Sequence, residues 1–302
     1  MSSVGKHLRT DVGARGVRPL RVLNGDGIGR TPSAPTDLFW RGILITLMAG
    51  LAVSVFGPEL RPAAQGTTPP SRIDPKAQAL LTKSIEAFGG DQFLKFKTLY
   101  TKGRAFVFSE SETAGMEPYE STTEYPDKRR FSYGKWPPVV LINNSDDGWE
   151  IDRFGTIRQP AEQLRHWKLA NRYSYESLFR EVLHEPGVLV QYVGVDFVDA
   201  APAYLLDLRD AREARVRIYL HQTTYLPLRI SYKVQDPETR EWLDNVDSYS
   251  DYQRFQGIQT PMHVGHLLND ERISEVYRNQ VVYDKPVPSG FFEPGNPKGV
   301  SY

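Results

Sequence analysis

The 302-residue chain has no cysteine. This excludes thiol nucleophiles, cysteine-ligated metals, a disulfide framework and the acylated cysteine that anchors a bacterial lipoprotein. It also lacks an excess of either charge, with 37 basic against 37 acidic residues, so it offers no field for nucleic acid. No G-x-S-x-G elbow, H-E-x-x-H helix or P-loop occurs. Histidine is scarce. His166 and His184 fall in a helical stretch and His221 in a turn, while His263 and His266 are three apart on one strand. Three apart on a strand means opposite faces, so a shared metal is not expected and no cofactor is implied.

The residues present divide by composition. Residues 1–37 carry Lys6, Arg9, Arg15, Arg18, Arg21 and Arg30 among scattered glycine and proline without apolar periodicity, which reads as a disordered basic leader. Its length suggests a translation start downstream of Met1. Residues 38–64 hold the run Leu38 to Phe56, broken only by Arg41, with Ala63 and Ala64 beyond it. Roughly 14 apolar residues suit a signal-peptide core better than a membrane span of about 20. The preceding basic residues predict a cytoplasmic amino terminus and an exported downstream chain. Pro62 weakens the cleavage point, so an uncleaved inner-membrane anchor over 38–57 is the alternative. Residues 65–73 read as a linker.

From residue 74 to 302 we expect one mainly β (α+β) domain. Asp74-Pro75 is an N-cap with proline at the first helical position. Ala77, Leu80, Leu81, Ile85 and Phe88 come next at helical spacing, and Gly89-Gly90 ends the helix. Strand patterns cover 98–108, 119–125, 129–133, 139–142 and 148–151, a helical insertion covers 160–183, and strands resume at 188–198 and 204–208. Between Ala214 and Val282 the chain alternates most clearly. Val216, Ile218 and Leu220 take one face of a strand, and Leu226, Leu228, Ile230, Tyr232 and Val234 alternate on the next, joined as a hairpin that opens an antiparallel meander.

The opening helix ending A-F-G-G, then E-Y-P-D-K-R-R-F, D-D-G-W, T-Y-L-P-L-R-I, Y-S-D-Y-Q-R-F-Q-G-I-Q-T-P and the closing F-F-E-P resemble the outer-membrane lipoprotein-sorting (LolA/LolB-like) superfamily over residues 74–294. The resemblance implies a curved antiparallel sheet forming an unclosed half-barrel wrapped around a few helices. It further implies a nonenzymatic periplasmic carrier whose apolar concave face receives acyl chains of lipoproteins or another lipid. Candidate lining residues are Phe106, Phe131, Tyr133, Trp149, Ile218, Leu220, Leu228 and Ile230, with ordinary core as the alternative for each. Each buried methylene contributes about 0.8 kcal/mol, so one chain suffices for micromolar affinity.

Two other functions fit the residues. An envelope module held by an uncleaved anchor would bind a protein partner through its rim, where Trp136 and Trp242 are either partner anchors or caps. A hydrolase would use carboxylates such as Asp146 with Asp147, or Asp207 with Asp210, although Asn144 to Gly148 reads first as a solvated turn. Lys128-Arg129-Arg130 beside a proline turn reads as solvated charge, with lipid headgroups as the alternative contact. Mass spectrometry of the native protein should find its amino terminus near Ala63-Ala64. A peptide from residues 2–30 in the mature protein would refute both the cleavage and the downstream start.

Overall fold

The computed structural model describes residues 72–295 apart from 111, 211, 213, 237 and 238. The leader, the apolar run with its cleavage point, and most of the linker lie outside the described residues. The sheet begins inside the linker range, where β1 (Arg72–Ile73) pairs in parallel with β8 (Leu189–Val198). Helix α1 (Pro75–Phe88) comes next. Asp74 caps it by accepting from the Lys76 amide at 2.7 Å. Gly89 ends it at φ 130°, where a Cβ would lie 2.6 Å from the Gly257 carbonyl oxygen, so both the backbone and the close approach require glycine.

After the short helix α2 (Asp91–Lys95) a first meander runs through β2 (Thr98–Ser109), β3 (Glu112–Glu124), β4 (Lys128–Tyr133), β5 (Val139–Asn144), β6 (Asp147–Asp152) and β7 (Gly155–Arg158). Helices α3 (Ala161–Tyr173) and α4 (Tyr175–Arg180) interrupt it. A second meander runs through β8, β9 (Ala201–Arg209), β10 (Arg215–His221), β11 (Pro227–Gln235), β12 (Trp242–Phe255), β13 (Ile258–Leu268) and β14 (Glu271–Tyr283). Pairing of β14 with β2 joins the two meanders into one sheet in the order β1-β8-β9-β10-β11-β12-β13-β14-β2-β3-β4-β5-β6-β7. The sheet is curved and unclosed, mainly β with a few helices, as the resemblance implies. Strands β1 and β7 are too short to show as periodic patterns.

Residues directly paired across a sheet share a face. Leu206, Ile218 and Ile230 are paired in this way and meet the helices. There Phe88 stacks on Phe93 at 4.3 Å and on Tyr175 at 5.3 Å, with Phe179 edge-on at 5.5 Å. This aromatic stack belongs to one core cluster with Leu208, Val216, Tyr232 and Tyr249, and Tyr249 meets Tyr175 edge-on at 5.3 Å. Ser84 takes the fully buried helical position expected for Ile85, which is only half-buried.

One strand departs from simple alternation. A bulge between Tyr219 and Leu220 pairs Leu220 with Pro227, which moves Leu228 out of the inner series. Leu228 packs instead on the outer face against Val198, Ala203, Leu205 and Tyr219.

Ile230 is 0% exposed within the core. Ile230→Asp should cost several kcal/mol out of a typical total of about 5 to 15, because its carboxylate would be buried unpaired. Thermal melting should show loss of the folded transition. A shift of only a degree or two would mean that this register is wrong.

Candidate functional site

The helix-bearing face continues past the helices. Tyr249 pairs with Val264, Val264 with Val276 and Val276 with Ala105. Gly103, two residues from Ala105 and so on its face, pairs with Tyr119, Tyr119 with Tyr133, and Phe131 with Leu141. These residues form a second apolar cluster of Ala105, Tyr119, Tyr133 and Leu141, with Phe131, Val139 and Val276 half-buried at its margin.

A polar ridge separates this cluster from the helix-covered core. Arg278, opposite Gly103 on β14, donates to the Pro261 carbonyl at 3.2 Å and to the Tyr175 hydroxyl at 3.4 Å. The Glu176 carboxylate lies 3.9 Å away, and both charged side chains are nearly buried. Burial opposes the Arg278 charge, but Tyr175 and Glu176 outweigh it and raise the guanidinium above its ordinary value. Nothing in the periodicity of the sequence marks this pair.

The eight candidate lining residues do not meet in one place. Ile218, Leu220 and Ile230 lie under the helices in the main core. Phe131 and Tyr133 belong to the second inner cluster. Leu228, Phe106 and Trp149 face outward: Phe106 meets Tyr277 edge-on at 5.4 Å, and Trp149 packs with Val140, Ile142, Phe291 and Phe292. The closing F-F-E-P thus covers the outer face of the first meander, where Arg130 donates to the Phe291 carbonyl at 3.1 Å.

No protein family model matches the sequence, and no curated protein matches it. Solved structures do match. The likeness is one of fold. A DUF1329 family protein from Desulfovibrio piger is 12% identical over 72% of this chain and 96% of its own, with a TM-score of 0.49. A domain ascribed to outer-membrane lipoprotein sorting from Vibrio parahaemolyticus is 9% identical over 70% and 95%, with a TM-score of 0.46. A LolA superfamily protein from Nitrosomonas europaea is 13% identical over 72% and 96%, with a TM-score of 0.45.

Charged residues singled out in the sequence have structural partners. Asp146 is bound by Lys168, and Asp147 by Arg158 at 2.8 Å. Asp210 is buried and accepts from Arg172 at 2.9 Å and from the Tyr173 hydroxyl at 2.8 Å, while Arg172 also holds Glu185. Asp207 sits apart, on β9 opposite Arg217. His263 lies 3.4 Å from Glu275, and His266 lies 2.7 Å from Asp247 on the other face. Among the described residues no group of three or more His, Cys, Asp or Glu could hold a metal ion, and no helix is long and apolar enough to cross a membrane.

The basic run differs from the solvated cluster expected. Lys128 pairs with Glu124 at 2.7 Å, Arg130 is buried on the outer face and Arg129 is half-buried on the inner face. The strand places the two arginines on opposite faces, and each meets aromatic rings. Trp167 of α3 covers Arg129, beside a cavity of about 260 Å³ whose lining includes Asp127, Asp146, Lys168, Arg172 and Glu181.

Buried tyrosines surround the ridge. Burial raises Tyr175 well above the usual tyrosine value, with Glu176 adding to it. Tyr232 and Tyr249 are raised by burial and then by Asp247. Tyr283 is pushed up to about 12, chiefly by burial. The fold thus favours the protonated phenols, so this stability is complete below the ordinary value of 10.0 and is lost as pH rises through 10 toward 12 and beyond. An alkaline titration should show tyrosinate absorbance appearing together with loss of near-ultraviolet circular dichroism, in one cooperative step. Ionisation of all tyrosines near pH 10 with the fold intact would contradict this burial.

Proposed function

We propose that the protein is an exported carrier that binds an acyl chain, from a lipoprotein or a related amphiphile, on the inner face of its half-barrel. In this reading residues 74–302 act as one periplasmic domain behind a signal or anchor segment. The observation that carries it is the inner apolar cluster of Ala105, Tyr119, Tyr133 and Leu141, which shares the helix-bearing face but stands outside the helix-covered core. Phe131, Val139 and Val276 at its margin are half-buried, and α3 buries only Trp167 and Tyr173. Half-buried apolar surface at this margin can be exchanged between side chain and ligand. Of the candidate residues, Phe131 and Tyr133 contact the chain, while Ile218, Leu220 and Ile230 are the structural floor of the neighbouring core.

One observation favours a protein-binding rim as a second reading. Trp136 is 73% exposed on the β4–β5 connection, and Phe154 is 75% exposed on the β6–β7 turn at the same end of the sheet. Trp242, at the start of β12, is 65% exposed. Aromatic anchors of this kind suit a partner surface.

Titration of detergent-free protein with a fluorescent fatty-acyl probe should show saturable binding at one site. Phe131→Ser should weaken it about tenfold or more, from the loss of roughly 1.5 to 3 kcal/mol of apolar contact, with the melting temperature little changed. Trp136→Ser should leave the affinity unchanged. Absence of saturable binding would remove the carrier reading and leave the rim.

A further inference from the structure

Arg129 is opposite Thr123 on β3 and Asn143 on β5. It is two residues before Phe131 and therefore on the same face. Its guanidinium carbon lies 5.6 Å from the centre of the Phe131 ring and 5.8 Å from that of Trp167. One amino group donates to Asn143 Oδ1 at 3.2 Å. Asn143 is itself oriented, because its Nδ2 donates to Gln159 Oε1 at 2.8 Å. Arg129 Nε is buried and meets no acceptor.

The carboxylates flanking Arg129 in sequence have partners of their own. Glu124 holds Lys128 at 2.7 Å, and Asp127 accepts from the Ser145 hydroxyl at 2.6 Å. Arg172 and Arg278 each have acidic or phenolic partners that raise their pKa. Arg129 differs from both, since burial alone acts on it and pulls it down to about 10. It remains charged at neutral pH. The protein offers this half-buried charge one amide oxygen and two ring faces, and an oxyanion would supply both the opposite charge and the acceptor that Nε lacks.

We infer that Arg129 anchors the ligand's headgroup, so that the ligand is an amphiphile ending in an oxyanion, a carboxylate or a phosphate, with its chain lying along β4 from Arg129 past Phe131 to Tyr133. This rests on the acyl-binding reading and adds the headgroup to it. The four residue steps from Arg129 to Tyr133 provide about 13 Å of track, enough for much of an extended acyl chain. Trp167 closes over the headgroup from α3, and the Asn143 amide holds the guanidinium plane in place.

The test compares palmitic acid, hexadecyl phosphate, hexadecanol and inorganic phosphate as competitors of a neutral fluorescent acyl probe on the full chain. The acid and the alkyl phosphate should compete about tenfold or more better than the alcohol, as expected for a charge-assisted hydrogen bond in a partly buried site. Inorganic phosphate alone should not compete, which separates a lipid headgroup from a free-phosphate site. Arg129→Gln should abolish the preference while still binding hexadecanol, and Arg129→Lys should retain part of it. Equal competition by acid and alcohol on the wild-type protein would overturn the inference and leave the acyl-binding reading intact. No competition by any of the long-chain compounds would overturn both. If Arg129→Gln does not fold, the comparison of acid with alcohol on the wild-type protein decides alone.

Discussion

A 14-stranded sheet presents more apolar face than four short helices can cover. That mismatch of area governs the rest of the structure. Where α1 and α4 reach, the face becomes an ordinary core, built around Phe88, Phe93, Tyr175 and Phe179 and floored by Leu206, Ile218 and Ile230. Beyond their reach the same face still carries Ala105, Tyr119, Tyr133 and Leu141, because strand alternation places apolar residues inward along the whole sheet. Of α3, Trp167 reaches the margin of this second territory, over Arg129, whereas Tyr173 and Leu169 pack into the main core.

The boundary between the two territories is polar. Arg278 and Glu176 meet there with Tyr175 and a backbone carbonyl. A buried ion pair is weak evidence for net stability, yet removing one partner is expensive. Its effect is to fix the seat of α4 against β14, so that the covered core does not extend over the second cluster. Arg129 stands at the far side of that cluster with only neutral partners. The two arginines therefore differ by their surroundings: one has an acid and a phenol beside it, the other an amide and two aromatic rings.

Much of this fold is legible because alternation is local. Val216, Ile218 and Leu220 announce a strand, and Asp74-Pro75 with Gly89-Gly90 frames α1 without any tertiary information. Leu228 escapes such reasoning because a bulge shifts the period by one residue, and periodicity alone does not reveal bulges. Phe106 and Trp149 look the same in the sequence as Phe131 and Tyr133, since an apolar strand residue does not say which face its neighbours occupy. Trp149 is apolar outward because the segment with Phe291 and Phe292 covers it. Arg129 and Arg130 read together as solvent charge for a similar reason. Adjacent residues on a strand face opposite ways, and their aromatic partners come from α3 and from the carboxy-terminal segment.

The seam between β14 and β2 couples the ends of the domain, with Tyr277 opposite Arg104 and Tyr283 opposite Leu99. Contacts so distant in sequence form slowly, because a long loop must close before they stabilise anything. Strands β2 to β7 can pair among themselves as the chain emerges, but β2 has no second neighbour until β14 arrives almost at the end. The inner apolar surface of the first meander thus stays open through most of the chain's synthesis. A protein built in this way depends on protection of the unfinished sheet, and premature termination before β14 yields two incomplete sheets with exposed edges in place of a smaller version of the fold.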